Sequence, residues 1–182
     1  MELRIVIGDV TIGIQGQDFS YIFSVGSGGM ESLYKDGKEW LYRTPRPAFW
    51  RAVTDNDRGC EFAFRSAVWS AADRFVRCSR VEARMDGQEI AIPLAPANNQ
   101  YTGKETCDRF EIIYTYETPT VPATEVTVSY TVETDGRIHV QTEYHGKQGL
   151  PELPVFGMRF LMPTAAERYT YEGLSGETYP DR

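Results

Sequence analysis

Residues 51–59, Arg-Ala-Val-Thr-Asp-Asn-Asp-Arg-Gly, set Asp55, Asn56 and Asp57 between Arg51 and Arg58, close on Gly59, and follow directly on Phe49 and Trp50. Asp55 and Asp57 could be the two carboxylates of a glycoside hydrolase. In such sites, however, the two groups usually come from different strand ends. An Asp-Asn-Asp turn more often caps backbone amides and pairs with nearby arginines, and this structural reading is favoured. A calcium loop also opens on Asp-x-Asp. Here Gly59 falls one position early, and Ser66 stands where the bidentate glutamate belongs, so no metal is expected.

The other reactive types are sparse. His139 and His145, the two imidazoles, fall on the polar face of one predicted strand, roughly 20 Å apart at about 3.4 Å per residue, and cannot share a metal. No serine sits in a G-x-S-x-G elbow. Gly26-Ser27-Gly28-Gly29 has no following lysine or helix and reads as a turn rather than a phosphate loop. No self-sufficient catalytic constellation and no cofactor site is expected. Aromatic residues are plentiful around the charged cluster: Trp40, Tyr42, Phe49, Trp50 and Trp69. Core packing accounts for most of them, while Trp50 and Trp69 are candidates for stacking against a sugar ring.

The elements that must carry these residues have a period of two. Val126, Val128, Tyr130 and Val132 alternate with polar neighbours from Glu125 to Glu133. Asp135-Gly136 then predicts a two-residue turn, and Ile138, Val140, Thr142 and Tyr144 point inward on the return strand. Asp36-Gly37 and Asp86-Gly87 repeat the signal. Further strands are expected at 3–7, 10–14, 19–25, 110–116 and 155–161. Many short antiparallel strands make an all-β sandwich or barrel. One segment departs from this: Phe64, Ala67, Val68, Ala71, Ala72 and Phe75 fall at helical spacing, predicting one amphipathic helix or helical loop near 61–75. Residues 43–48, with Pro45 and Pro47, and residues 95–107 are expected to be irregular.

At 182 residues the chain is long enough for one domain, taken as 1–182. A net charge of -7 argues against nucleic acid and anionic membranes as partners. Cys60, Cys78 and Cys107 form no C-x-x-C pair and are expected to be reduced. With no apolar run approaching the ~20 residues of a membrane span, the expected location is cytoplasmic.

Two stretches carry a family resemblance. GGMESLYKDGKEWLYRTPRPAFWRAVTDNDRG, residues 28–59, resembles the opening of the C-terminal small-chain domain of glycoside hydrolase family 2 bacterial β-galactosidases, and GLSGETYPDR, residues 173–182, is similar to its closing signature. Glu177, Tyr179, Pro180, Asp181 and Arg182 match that signature, although Ser175-Gly176 leaves it one residue short. The resemblance implies an antiparallel β-supersandwich akin to galactose mutarotase. It also implies that the catalytic glutamates lie on a separate TIM-barrel domain, in the same or another chain, which acts on galactosides. In the family the loop after the D-N-D motif borders the active site and shifts between open and closed forms. Carried over, Gly59 becomes the hinge at the start of that loop, and Arg51, Asp55, Asn56 and Asp57, with Arg58 beside them, fix its base. The family domain continues past Y-P-D-R, so the chain is expected to be a fragment, the N-terminal part of a supersandwich truncated at its C-terminus. Open sheet edges would then let copies pair as a homo-oligomer. The expected role is non-catalytic: to border and gate a galactoside site made with the barrel, inactive alone. A free-standing carbohydrate-binding sandwich is the alternative. A mutarotase-like epimerase is a third reading, weakened by the outward histidines.

Overall fold

The computed structural model describes residues 2–92, 100–165, 167, 168 and 170–173. The closing signature at 177–182 and residues 95–99 of the second irregular stretch lie outside the described residues.

Two antiparallel sheets form the body. The first contains β1 (Leu3–Ile7), β2 (Thr11–Gln15), β3 (Phe19–Ser24), β4 (Gly29–Lys35), β5 (Lys38–Glu39) and the later β9 (Glu105–Cys107), in the order β5-β4-β3-β2-β1-β9. The second contains β7 (Arg77–Met85), β8 (Gln88–Ile90), β10 (Arg109–Glu117), β11 (Glu125–Glu133) and β12 (Ile138–His145), in the order β12-β11-β10-β7-β8. A separate ribbon pairs β6 (Arg43–Ala48) with β13 (Gly157–Leu161). Between β6 and β7 the chain leaves the sheets through α1 (Asp55–Gly59), α2 (Phe62–Arg65), a 3₁₀ turn at Ala67–Trp69 and α3 (Ala72–Phe75).

Alternation builds the core as expected on the central strands, while on the edge strand β12 Val140, expected inward, is exposed like its polar neighbours. Leu3, Ile5, Ile12, Ile14, Tyr21 and Phe23 of the first sheet are buried against Phe110, Ile112, Tyr114, Tyr116, Val126, Val128, Tyr130 and Val132 of the second. Each large apolar side chain so buried contributes about 1.5–3 kcal/mol of hydrophobic stabilisation. Tyr21 carries a hydroxyl into this interior and donates it to the Gly136 carbonyl at 2.6 Å; burial pushes its pKa up to about 12. His139 and His145 lie on the exposed face of β12, as the alternation requires.

Three local expectations are corrected. The β11–β12 turn is a three-residue connection, because Glu133 pairs with Arg137 and Gly136 alone takes positive φ (80°). That is a turn closed by a glycine bulge, whereas Asp36-Gly37 and Asp86-Gly87 have both residues at positive φ and make the two-residue form. Residues 43–48 are a strand despite their prolines. Thr44 and Pro45 bulge opposite Phe160 between the Arg46–Arg159 and Arg43–Leu161 pairs, so the missing amide of Pro45 falls where the ladder is already interrupted. The second irregular stretch ends in β9, which adds an edge strand to β1.

The helical segment is a helical loop rather than one helix. Glu61 (φ 56°) and Ala71 (φ 64°) take left-handed conformations that stop helix propagation on either side. The rotation between the short pieces also changes which side chains face inward. Phe62, Ser66, Trp69 and Ala72 are buried, while Phe64 and Phe75 of the predicted apolar stripe are 85% and 69% exposed. Among the described residues no helix is long and apolar enough to cross a membrane.

Candidate functional site

The charged cluster forms the corner where the chain turns out of β6 into this loop. Thr54 stays extended (φ -88°, ψ 173°) and its Oγ1 accepts from the Asp57 backbone N–H at 3.2 Å. Asp57 Oδ2 in return accepts from the Thr54 N–H at 2.7 Å, completing a capping box with aspartate in place of the usual glutamate. Arg51 closes the arrangement from the other side. Its Nη1 and Nη2 donate to Asp57 Oδ2 and Oδ1 at 2.5 and 3.0 Å, Nη1 also reaches the Ala52 carbonyl, and Nε donates to the Pro154 carbonyl at 3.2 Å. The guanidinium lies 5.4 Å from the centre of the Phe62 ring.

Charge-assisted bonds from Arg51, followed by the Thr54 N–H, hold the Asp57 carboxyl well below the usual carboxylate range. Asp57 is therefore an ionised anchor with both oxygens engaged and cannot donate a proton as a general acid near neutral pH. Asp55 is exposed and pairs with Arg58 at 2.6 Å, and Asn56 is exposed beside them. The structure thus separates the predicted cluster into two parts. Arg51 and Asp57 are drawn inward as the tie, whereas Asp55, Asn56, Arg58 and Gly59 form the outward surface. Gly59 ends α1 without positive φ, and nothing lies within 4 Å of where its Cβ would be.

The loop beyond the corner is fastened to a distant segment. Ser66 Oγ donates to the Glu152 carbonyl at 2.9 Å, and Trp69 Nε1 donates to the Pro151 carbonyl at 3.2 Å. Together with Arg51 on Pro154, three side chains of 51–69 bond three carbonyls within 151–154, across separations of 82–103 residues.

The two tryptophan candidates fare differently. Trp69 has no exposed surface and packs against Phe49 (5.5 Å) and edge-on to Tyr144 (5.8 Å), so its faces are occupied by core residues and no sugar can stack on it. Trp50 is half-buried and stands at the edge of a cleft of about 340 Å³ with Ser70, Asp73 and Arg159. This cleft adjoins a second, of about 600 Å³, bounded by Arg43, Thr44, Arg46, Arg74 and Leu161. Arg159 Nη1 binds Asp73 Oδ2 at 2.6 Å, and Arg46 donates to the Ser27 carbonyl at 3.1 Å. Sequence reading missed this arginine cleft. Its only linear hint is Arg43 and Arg46 on one proline-containing strand; Arg74 and Arg159 reach it through α3 and the β6–β13 pairing. Among the described residues no three His, Cys, Asp or Glu side chains gather to hold a metal ion, and Cys60, Cys78 and Cys107 are free.

Fold and corner together define an antiparallel β-sandwich with a tied surface loop, in which the buried carboxylate among the described residues, Asp57, has an architectural task. Residues 15–182 match the family described as beta galactosidase small chain, and the chain belongs to that family. It is 56% identical over 180 residues to the beta-galactosidase small subunit of Latilactobacillus sakei, an alignment covering 99% of this chain and 57% of that protein. It is also 38% identical over 182 residues to a beta-galactosidase of Clostridium acetobutylicum, and 32% over 181 residues to one of Streptococcus thermophilus. In those two proteins the aligned part is 18% and 16% of the length, so the chain spans little more than half of its small-subunit relative and under a fifth of the larger enzymes.

Proposed function

We propose that the chain is the non-catalytic component of a retaining β-galactosidase. It borders and gates a galactoside site whose catalytic glutamates lie on a TIM-barrel domain, and it has no hydrolytic activity alone. The observation that carries this reading is the corner. Arg51 and Asp57 tie residues 51–57 to the body and leave Asp55, Asn56 and Arg58 turned outward, an arrangement suited to presenting a surface to another domain. Membership of the small-chain family supports the choice of partner, since relatives named beta-galactosidase include the aligned region as a minor part of a longer chain.

The direct test is hydrolysis of a chromogenic galactoside by the purified chain, alone and after mixing with a catalytic β-galactosidase chain. Turnover only in the mixture is the expected result; turnover by this chain alone overturns the proposal.

Gly59 gives the gating part its own test. Because the present backbone is compatible with a Cβ and the space is open, Gly59→Ala is expected to stabilise the chain by about 0.4–1 kcal/mol, acting mainly through the unfolded state. If Gly59 is the hinge, the same variant changes kcat of the mixture, because the alternative loop form needs backbone angles that alanine resists. Higher thermal stability with unchanged kcat would remove Gly59 from the gate.

A further inference from the structure

Most arginines on the sandwich surface meet a carboxylate: Arg77 pairs with Glu117 at 2.7 Å, Arg84 with Glu111 at 3.1 Å and Arg137 with Asp135 at 2.6 Å. The cleft between the β6–β13 ribbon and α3 is different. Arg43, Arg46 and Arg74 line it without an ion pair to any described residue, and its one carboxylate, Asp73, is neutralised by Arg159. In a chain of net charge -7 this leaves Arg43 and Arg74 exposed to solvent without a carboxylate among the described residues, beside a half-buried Arg46 that stands over the Tyr116 ring at 5.7 Å. The cleft's apolar lining residue is Leu161, which is 43% exposed.

We propose that this cleft is a docking surface for a carboxylate-bearing segment of the catalytic β-galactosidase chain. Charge complementarity selects an acidic occupant. Arginine is enriched at protein interfaces, and charged groups there set orientation and the rate of encounter. A small anion is a poorer fit, because Arg46 is already held by the Ser27 carbonyl and Arg159 by Asp73. The cleft meets the loop at both of its ends: Trp50 stands at its edge just before the corner, and Asp73 and Arg74 of α3 line it where the helical excursion closes. The inference rests on the proposed function and adds the surface through which it operates.

The test is a binding titration between the full-length small chain and the catalytic chain at low and high ionic strength. Arg43→Glu combined with Arg74→Glu is expected to weaken association at least about thirtyfold at low salt, with the difference from the unaltered chain shrinking as salt rises. Lys104→Glu, at the β9 edge of the six-stranded sheet, is expected to stay within about twofold. The free small chain should keep its Tm in both variants. Wild-type affinity in the arginine reversal overturns the inference and leaves the proposed function standing. A Tm lowered by more than about 4 °C in the free reversed chain also overturns it, because the occupant would then lie in the same chain. Failure of the unaltered chain to bind the catalytic chain overturns both.

Discussion

Trp69→Ala is expected to cost the fold about 3–5 kcal/mol, the range for removing a large aromatic from a packed core. For a chain of this length that is a fall in Tm of roughly ten degrees. The indole has no exposed surface, two aromatic neighbours within 6 Å and a hydrogen bond to the Pro151 carbonyl. Alanine would leave a cavity beside Phe49 and an unpaired carbonyl near residue 151. Thermal unfolding monitored by circular dichroism gives the answer. A variant that keeps its Tm but loses affinity for galactose would restore Trp69 as a sugar platform and contradict its burial.

Asp57→Asn is expected to have the largest effect on activity. The amide offers Arg51 one good acceptor instead of two and removes the charge that opposes the guanidinium, while most of the capping geometry survives. Cleavage of residues 55–75 by a protease should therefore accelerate while the sandwich core stays folded. In the mixture with the catalytic chain, kcat/KM should fall by about ten- to a hundredfold, the size expected when a surface that helps to position substrate is displaced by about an ångström. Unchanged kcat/KM with faster proteolysis would limit the corner to a structural role. The pH dependence follows from the direction of the shift. The folded carboxyl titrates below its ordinary value of 3.8, so Asp57 contributes stability that is fully present above that pH and is lost as pH falls further toward the folded value. Asp57→Asn should abolish that component of acid sensitivity, which acid titration of the wild type and variant in parallel measures.

The body of the fold is written in the sequence as alternation. Val126, Val128, Tyr130 and Val132 could face only one way on a half-buried strand, and they are the core residues of β11. Paired Asp-Gly turns at 36–37 and 86–87 were equally legible, because few sequences tolerate two consecutive positive φ angles. The helical excursion was legible as helical but not in its facing. Glu61 and Ala71 carry no sequence mark of left-handed backbone, yet each redirects the piece that follows it: after Glu61 Phe62 is buried in place of Phe64, and after Ala71 Phe75 is left exposed. The prolines of residues 43–48 argued against a strand because the bulge that accommodates Pro45 depends on Phe160, more than a hundred residues away. At the candidate site, the tie between Arg51 and Asp57 followed from residue type and proximity. The arginine cleft did not, since its four contributors meet only after the ribbon has formed and α3 has been placed.

The three bonds from the 51–69 loop to residues 151–154 also set an order of events during folding. Hairpins such as β10–β11–β12 close over short loops and can form early, but the corner's tie to the body waits for partners 82–103 residues further along the chain. During synthesis the loop therefore emerges long before its anchors and has to remain unfastened until residue 154 has left the ribosome. In the finished protein the same dependence makes the loop and the 151–154 segment one cooperative unit. Amide hydrogen exchange should report a shared opening for both segments, with a lower free energy than that of the β10–β11 core.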